Sequence, residues 1–156
     1  MTDLNTAITI ATAAHAGQTD RGGQPYILHP LRVMLSLHDP DQRIVAVLHD
    51  VIEDCADQGY DRAYLAAAGF SDTILAALDA VSKTPQEAEA MRNATGAAKD
   101  AAYLRFVARA KADPIGRHVK RADLIDNMDT SRLPCITPED LLRVARYQQA
   151  VALLDG

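Results

Sequence analysis

No stretch of this 156-residue chain alternates apolar and polar residues in the two-residue rhythm of a strand; apolar side chains recur instead three and four positions apart. Leu4, Ile8, Ala11 and His15 fall on one helical stripe, with Asp3 at its start and Gly17 at its end. Residues 18–29 carry the glycines and proline of a loop. Pro30 opens a short helix through Leu37, since proline at the first helical position forfeits no intrahelical bond. Asp39-Pro40 starts a third helix, whose apolar face is Ile44, Val47, Leu48, Val51 and Ile52. Further helices run from Asp61 to Gly69 and from Ser71 to about Lys83. Residues 86–112 are alanine-rich with a break at Gly96, Pro114 opens the helix holding VKRADLIDNM, and Thr137-Pro138 opens the last, to about Leu154. The pattern predicts an all-α fold: a compact multi-helix bundle, folded as one domain over residues 1–156.

Length and composition agree with that reading. A chain of this size buries roughly 70% of its unfolded surface, enough for a core without disulfide or metal staples. No apolar run reaches the ~18 residues of a membrane span, and no basic region followed by an apolar stretch marks a signal peptide. Cys55 and Cys135 form no CxxC pair, which suits reduced thiols in the cytoplasm. The net charge is −5, and its distribution is uneven. Residues 39–61 hold seven acids against Arg43 alone, whereas the other 133 residues hold 14 acids and 15 bases. Such a balance disfavours a duplex nucleic acid as partner.

Inside that acidic segment the apolar face is interrupted by His49, Asp50, Glu53 and Asp54. On a continuous helix His49 and Glu53 share one face, and Asp50 and Asp54 the next. Read alone, a bare HD dipeptide favours a solvated acidic face with one core histidine. Two other segments shift the weighing. His29 sits at a loop-to-helix junction held by Pro30, and Asp123 and Asn127 lie four apart with Lys120 one turn before. His29, His49, Asp50 and Asp123 together would offer two imidazoles and two carboxylates to one ion. That mixture suits Mn²⁺, with Fe²⁺, Co²⁺ and Zn²⁺ chemically compatible.

The ordered segments HAGQTDRGGQPYILHP, AVLHDVIEDC, GFSDTILAALDAVSK and VKRADLIDNMDT resemble the HD-domain phosphohydrolases, and among them the hydrolase domain of the RelA/SpoT alarmone enzymes, especially the small stand-alone alarmone hydrolases. The resemblance covers about residues 5–150. It implies an HD-type bundle with a metal held between helices by His29, His49, Asp50 and Asp123, and a catalytic pair at Glu53 and Asp54. It places nucleotide contacts on Arg21, Asn127, Thr130 and Tyr147. The implied reaction is release of pyrophosphate from the 3′ position of ppGpp or pppGpp, the stringent-response alarmones, leaving GDP or GTP. On charge grounds Arg21, Lys83 and Lys120 are candidates to balance the pyrophosphate.

Three positions depart from the resembled pattern. Asp20, Leu124 and Asp129 stand where the long alarmone enzymes carry basic residues. A second reading therefore keeps the metal chemistry with another nucleotide: an adenosine alarmone, NADPH or a nucleoside monophosphate. A third is a nucleotide-sensing domain without turnover, against which the retention of all four ligands with Glu53 and Asp54 argues. Other residues are expected in plainer roles. His15 ends a helix, His38 lies at the surface, and Tyr26 packs its loop. The basic stretch 105–121 is for the most part a solvated helix surface, and Tyr147 divides evenly between base stacking and core packing.

Overall fold

A computed structural model describes residues 2–156. Its helices are α1 (Leu4–Ala14), α2 (Leu28–Leu35), α3 (Pro40–Leu48), α4 (Val51–Cys55), α5 (Arg62–Ala67), α6 (Asp72–Val81), α7 (Pro85–Asn93), α8 (Gly96–Lys111), α9 (Gly116–Asn127) and α10 (Pro138–Asp155), with 3₁₀ turns at Ala56–Gln58 and Thr130–Arg132. The expected all-α architecture is the one observed. Among the described residues the only β pairing is a single bridge from Thr19 to Pro25, which closes the loop ahead of α2. None of these helices is long and apolar enough to cross a membrane.

The helix starts are written in the sequence. Asp3, Asp39, Asp61, Ser71, Thr84 and Thr137 each accept the backbone N–H three residues on, satisfying a donor that the helix itself leaves without a partner. Asp39 and Asp61 of the acidic segment are thus helix caps. Two boundaries differ from expectation. α2 begins at Leu28, so Pro30 falls inside its first turn. α9 begins at Gly116, because the Asp113 carboxylate accepts from both Ile115 and Gly116 and defers the start past Pro114. A Cβ on Gly116 would stand 3.3 Å from the Ala80 Cβ, so this glycine lets α9 approach α6.

The third helix is where pattern reading fails. It does not run through to Cys55: α3 stops at Leu48, and α4 starts afresh at Val51. The His49 side chain donates from Nδ1 to the Ala46 carbonyl at 2.6 Å, and the His49 N–H reaches the same carbonyl at 3.4 Å. A side chain that occupies a helix carbonyl competes with the ladder. The apolar spacing continues across this break, so periodicity alone could not reveal it.

Two apolar clusters hold the bundle. The larger packs α1, α2, α3, α4 and α6 around Val33, Val45, Leu48, Val51 and Leu78, with Val119 contributed by α9. The smaller joins α7, α8, α9 and α10 through Phe106, Val107, Leu124 and Leu154. α9 therefore lies between both, and Asp123 sits on the helix that bridges them. Leu124 is fully buried in the smaller cluster. At this departure from the resembled motif an apolar core side chain stands in place of a charge.

The basic stretch 105–121 is largely engaged in structure. Arg117 donates to the Leu154 carbonyl, Arg121 pairs with Asp155, and Arg109 forks onto Glu87 at 2.9 Å from both Nε and Nη2. Arg109 also donates to the carbonyls of Asp79 and Ser82 at 2.7 Å each, closing the C-terminal end of α6. The Arg109 guanidinium holds the Glu87 carboxyl below its ordinary pKa. Substituting Arg109 with methionine keeps the stem and removes all four bonds. With screening at this partly exposed site, urea unfolding should show a loss of about 1–2 kcal/mol.

Candidate metal centre

His29 in the first turn of α2, His49 at the break between α3 and α4, and Asp123 on α9 form one cluster of metal-compatible donors, and Asp50, next to His49 at that break, reaches the two imidazoles. The His29 Nε2 lies 3.0 Å from Asp123 Oδ1, 3.3 Å from His49 Nε2 and 3.6 Å from Asp50 Oδ2. His49 Nε2 lies 3.3 Å from Asp123 Oδ1 and 3.1 Å from Asp50 Oδ2. The two imidazoles and Asp123 are buried. The helix break sets this geometry: it lets both His49 and Asp50 reach a point that one helix face could not offer to two adjacent residues.

The donor chemistry fits a cation. His49 must donate its Nδ1–H to the Ala46 carbonyl, and His29 donates its Nδ1–H to Asp126 at 2.6 Å. Both Nε2 atoms are thereby turned toward the two carboxylates. Separations of 3.0–3.6 Å are what ligands about 2.1 Å from a common ion would show. Burial works against charge on the imidazoles, yet Asp123 holds the His29 pKa up with help from Asp126, and Asp50 and Asp123 hold the His49 pKa well up. The point thus calls for positive charge. A divalent cation would supply it at the pH where proteins function, and mixed nitrogen and oxygen donors are compatible with Mn²⁺ and its neighbours.

Around this centre are residues whose roles the sequence pattern understated. Tyr26 does more than pack its loop: its hydroxyl donates to Asp50 Oδ2, and its ring stands 5.9 Å from that of His29. Behind it, His15 is buried, and burial keeps its imidazole pKa low. Asp126 and Arg32 escaped notice altogether, although each lies three residues beyond a ligand, Asp123 and His29, on the same helical face. Lys120 is turned to Asp123 at 2.9 Å and stands 4.9 Å from the Phe106 ring centroid. Its ammonium supports the ligand from behind, where a phosphate contact was expected.

Glu53 and Asp54 extend from α4 beside the four donors. Glu53 accepts the backbone N–H of Lys83, and its other oxygen is 3.9 Å from the Lys83 Nζ. Partial desolvation, then the Asp50 and Glu53 carboxylates, push the Asp54 pKa up to about 6.

A pocket of about 330 Å³ opens on the His29 side, with Arg21, Asn127 and Tyr147 in its wall. Arg32, Arg132 and Arg143 line it too, as do Asp20 and Asp129. Asn127 also donates to Asp123 Oδ1 at 2.9 Å, and Arg21 pairs with Asp140 at 3.0 Å. Thr130 begins the neighbouring 3₁₀ turn and is not part of the wall. Lys83 faces a second cavity of about 320 Å³ with Tyr103 and Tyr147, so Tyr147 separates the two spaces. Its ring packs 5.7 Å from that of Tyr103, so it serves the core while also forming part of the pocket wall.

The HD domain family matches residues 7–151. The chain is 34% identical over 145 residues to a probable GTP pyrophosphokinase of Mycobacterium leprae, covering 90% of this chain and 17% of that protein. It is 31% identical over 147 residues to a guanosine-3′,5′-bis(diphosphate) 3′-pyrophosphohydrolase of Vibrio cholerae, covering 92% and 20%. A protein of the same name from Borreliella burgdorferi is 33% identical over 134 residues, covering 82% and 19%. The chain spans no more than a fifth of the length of these relatives. The match over nearly all its residues, together with the clustered His29, His49 and Asp123, places the chain in the HD domain family.

Proposed function

We propose that this chain is a Mn²⁺-dependent 3′-pyrophosphohydrolase of (p)ppGpp, a single hydrolase domain acting on the stringent-response alarmones in the cytoplasm. The observation that carries this reading is the convergence of His29, His49 and Asp123, with Asp50 Oδ2 3.1 and 3.6 Å from the two imidazoles, beside a pocket of nucleotide-compatible size. The names of relatives matched along almost the whole chain supply the substrate. A divalent ion held by His29, His49, Asp50 and Asp123 would polarise a phosphoryl oxygen and lower the pKa of water.

The remaining steps belong to the chain's own groups. Asp54, with its pKa near 6, can take a proton from the attacking water and return it to the leaving oxygen. Glu53, fixed by the Lys83 backbone, can orient that water. Arg21, Arg143, Asn127 and Tyr147 face the nucleotide, while Thr130 stands at the pocket's edge. Lys83, whose Nζ lies 3.9 Å from Glu53, would balance charge on the departing pyrophosphate. Lys120 acts through Asp123.

One observation favours a second reading. Asp20 and Asp129 line the pocket, and the four arginines in its wall already face carboxylates, Arg21 and Arg143 sharing Asp140. Such a wall suits a less charged substrate, NADPH or a nucleoside monophosphate; an adenosine alarmone carries the same phosphates as ppGpp and differs from it in the base alone. Purified protein loaded with Mn²⁺ should release pyrophosphate from ppGpp and lose that activity on chelation. Turnover of another nucleotide from this panel in preference to ppGpp selects the second reading. Activity that survives complete metal removal overturns both.

A further inference from the structure

Asp126 is outside the donor set, yet it accepts the Nδ1–H of His29 at 2.6 Å. The same carboxylate receives the Arg32 fork, Nε to Oδ1 at 2.8 Å and Nη2 to Oδ2 at 3.1 Å. Arg132 adds Nη2 at 3.4 Å from Oδ2 and at 2.9 Å from the Asp126 carbonyl. Three elements meet here: α2 through His29 and Arg32, α9 through Asp126, and the Thr130–Arg132 turn. The Asp126 side chain is only 12% exposed, and both arginines belong to the pocket wall.

We propose that Asp126 is a positioning residue that serves both halves of the site: it aims His29 Nε2 at the cation and turns Arg32 toward an anionic group of the ligand, while Arg132, held by Asp129 through Nη1, braces the carboxylate. The comparison with His49 shows why a carboxylate stands here. A backbone carbonyl is enough to fix the His49 tautomer. A carbonyl could not also hold two guanidiniums, and a carboxylate makes the imidazole it contacts a stronger electron-pair donor. Arg32 uses Nε and Nη2 on Asp126, which leaves Nη1 to meet a phosphate oxygen. The arginine half rests on the phosphohydrolase reading; the His29 half rests on geometry alone.

Two variants separate the halves. Asp126→Asn should weaken Mn²⁺ binding about 10–100-fold, measured by competition with a chromophoric chelator, and should raise KM for ppGpp. Arg32→Met should leave Mn²⁺ affinity within about threefold and raise KM without a matching fall in kcat. Unchanged Mn²⁺ affinity in Asp126→Asn overturns the proposal, as does an equal loss in both variants, which would signal general loosening. Nitrogen NMR of the unaltered chain loaded with Zn²⁺ needs no variant: His29 should carry its proton on Nδ1, and a proton on Nε2 would refute the role. The Mn²⁺ and tautomer measurements stand even if ppGpp is not the substrate.

Discussion

Asp50→Asn is expected to abolish metal-dependent hydrolysis while leaving the fold in place, whereas Asp123→Asn is expected to abolish it and unfold the protein more readily. Both substitutions remove one carboxylate from the donor set. Their surroundings differ. Asp50 receives the Tyr26 hydroxyl, which an asparagine oxygen can still accept, so its stability change should stay within about 1 kcal/mol. Asp123 is the counter-charge of Lys120, whose ammonium is buried at 2.9 Å from Oδ2. Removing one partner of a buried pair strands the other charge, at a cost of about 3–5 kcal/mol. Urea unfolding and bound-metal analysis on the two proteins test this directly. Equal stability loss in both would mean that Lys120 finds another partner. A double change, Lys120→Met with Asp123→Asn, should recover much of the stability and none of the activity.

The second large effect is expected at Asp54. Among the described residues its side chain makes no hydrogen bond, so Asp54→Asn changes the chemistry without removing a structural tie; Glu53 is different, because it holds the Lys83 backbone. Loss of a proton-transfer group costs about 10²–10⁴-fold in kcat. Mn²⁺ affinity should change little. The pH profile carries the sign. A base must be ionised to act, so the rate should rise through an acidic limb set by Asp54, at or below its value of about 6, since a nearby dication favours the carboxylate. In Asp54→Asn that limb should disappear. A limb that persists unchanged assigns it to another group.

Several features of the site were legible in the residues and several were not. His29, His49, Asp50 and Asp123 could be named because each stands in a distinctive local context: a loop ending in proline, a charged interruption of an apolar face, and a helical i,i+4 pair. Their convergence could not be read from spacing, since it depends on a helix break that the apolar rhythm conceals. Tyr26 and Asp126 were missed for a related reason. Tyr26 meets Asp50 across 24 positions, and Asp126 meets His29 across 97. Leu124 and Asp129 looked alike as departures, but Leu124 is core and Asp129 lines the pocket.

The sequence by itself determined most of the helices: six of the ten starts carry a side-chain cap three residues from its partner, and the apolar faces follow a local period. It also determined which side chains could serve as metal donors. Tertiary structure decided how those donors are used. Packing of α9 between two apolar clusters brought Asp123 to His29, buried Lys120 behind it, and set Asp126 against Arg32 and Arg132. Those are electrostatic contacts between residues far apart in the chain. They form only because burying apolar surface elsewhere outweighs the cost of gathering so much charge in one place.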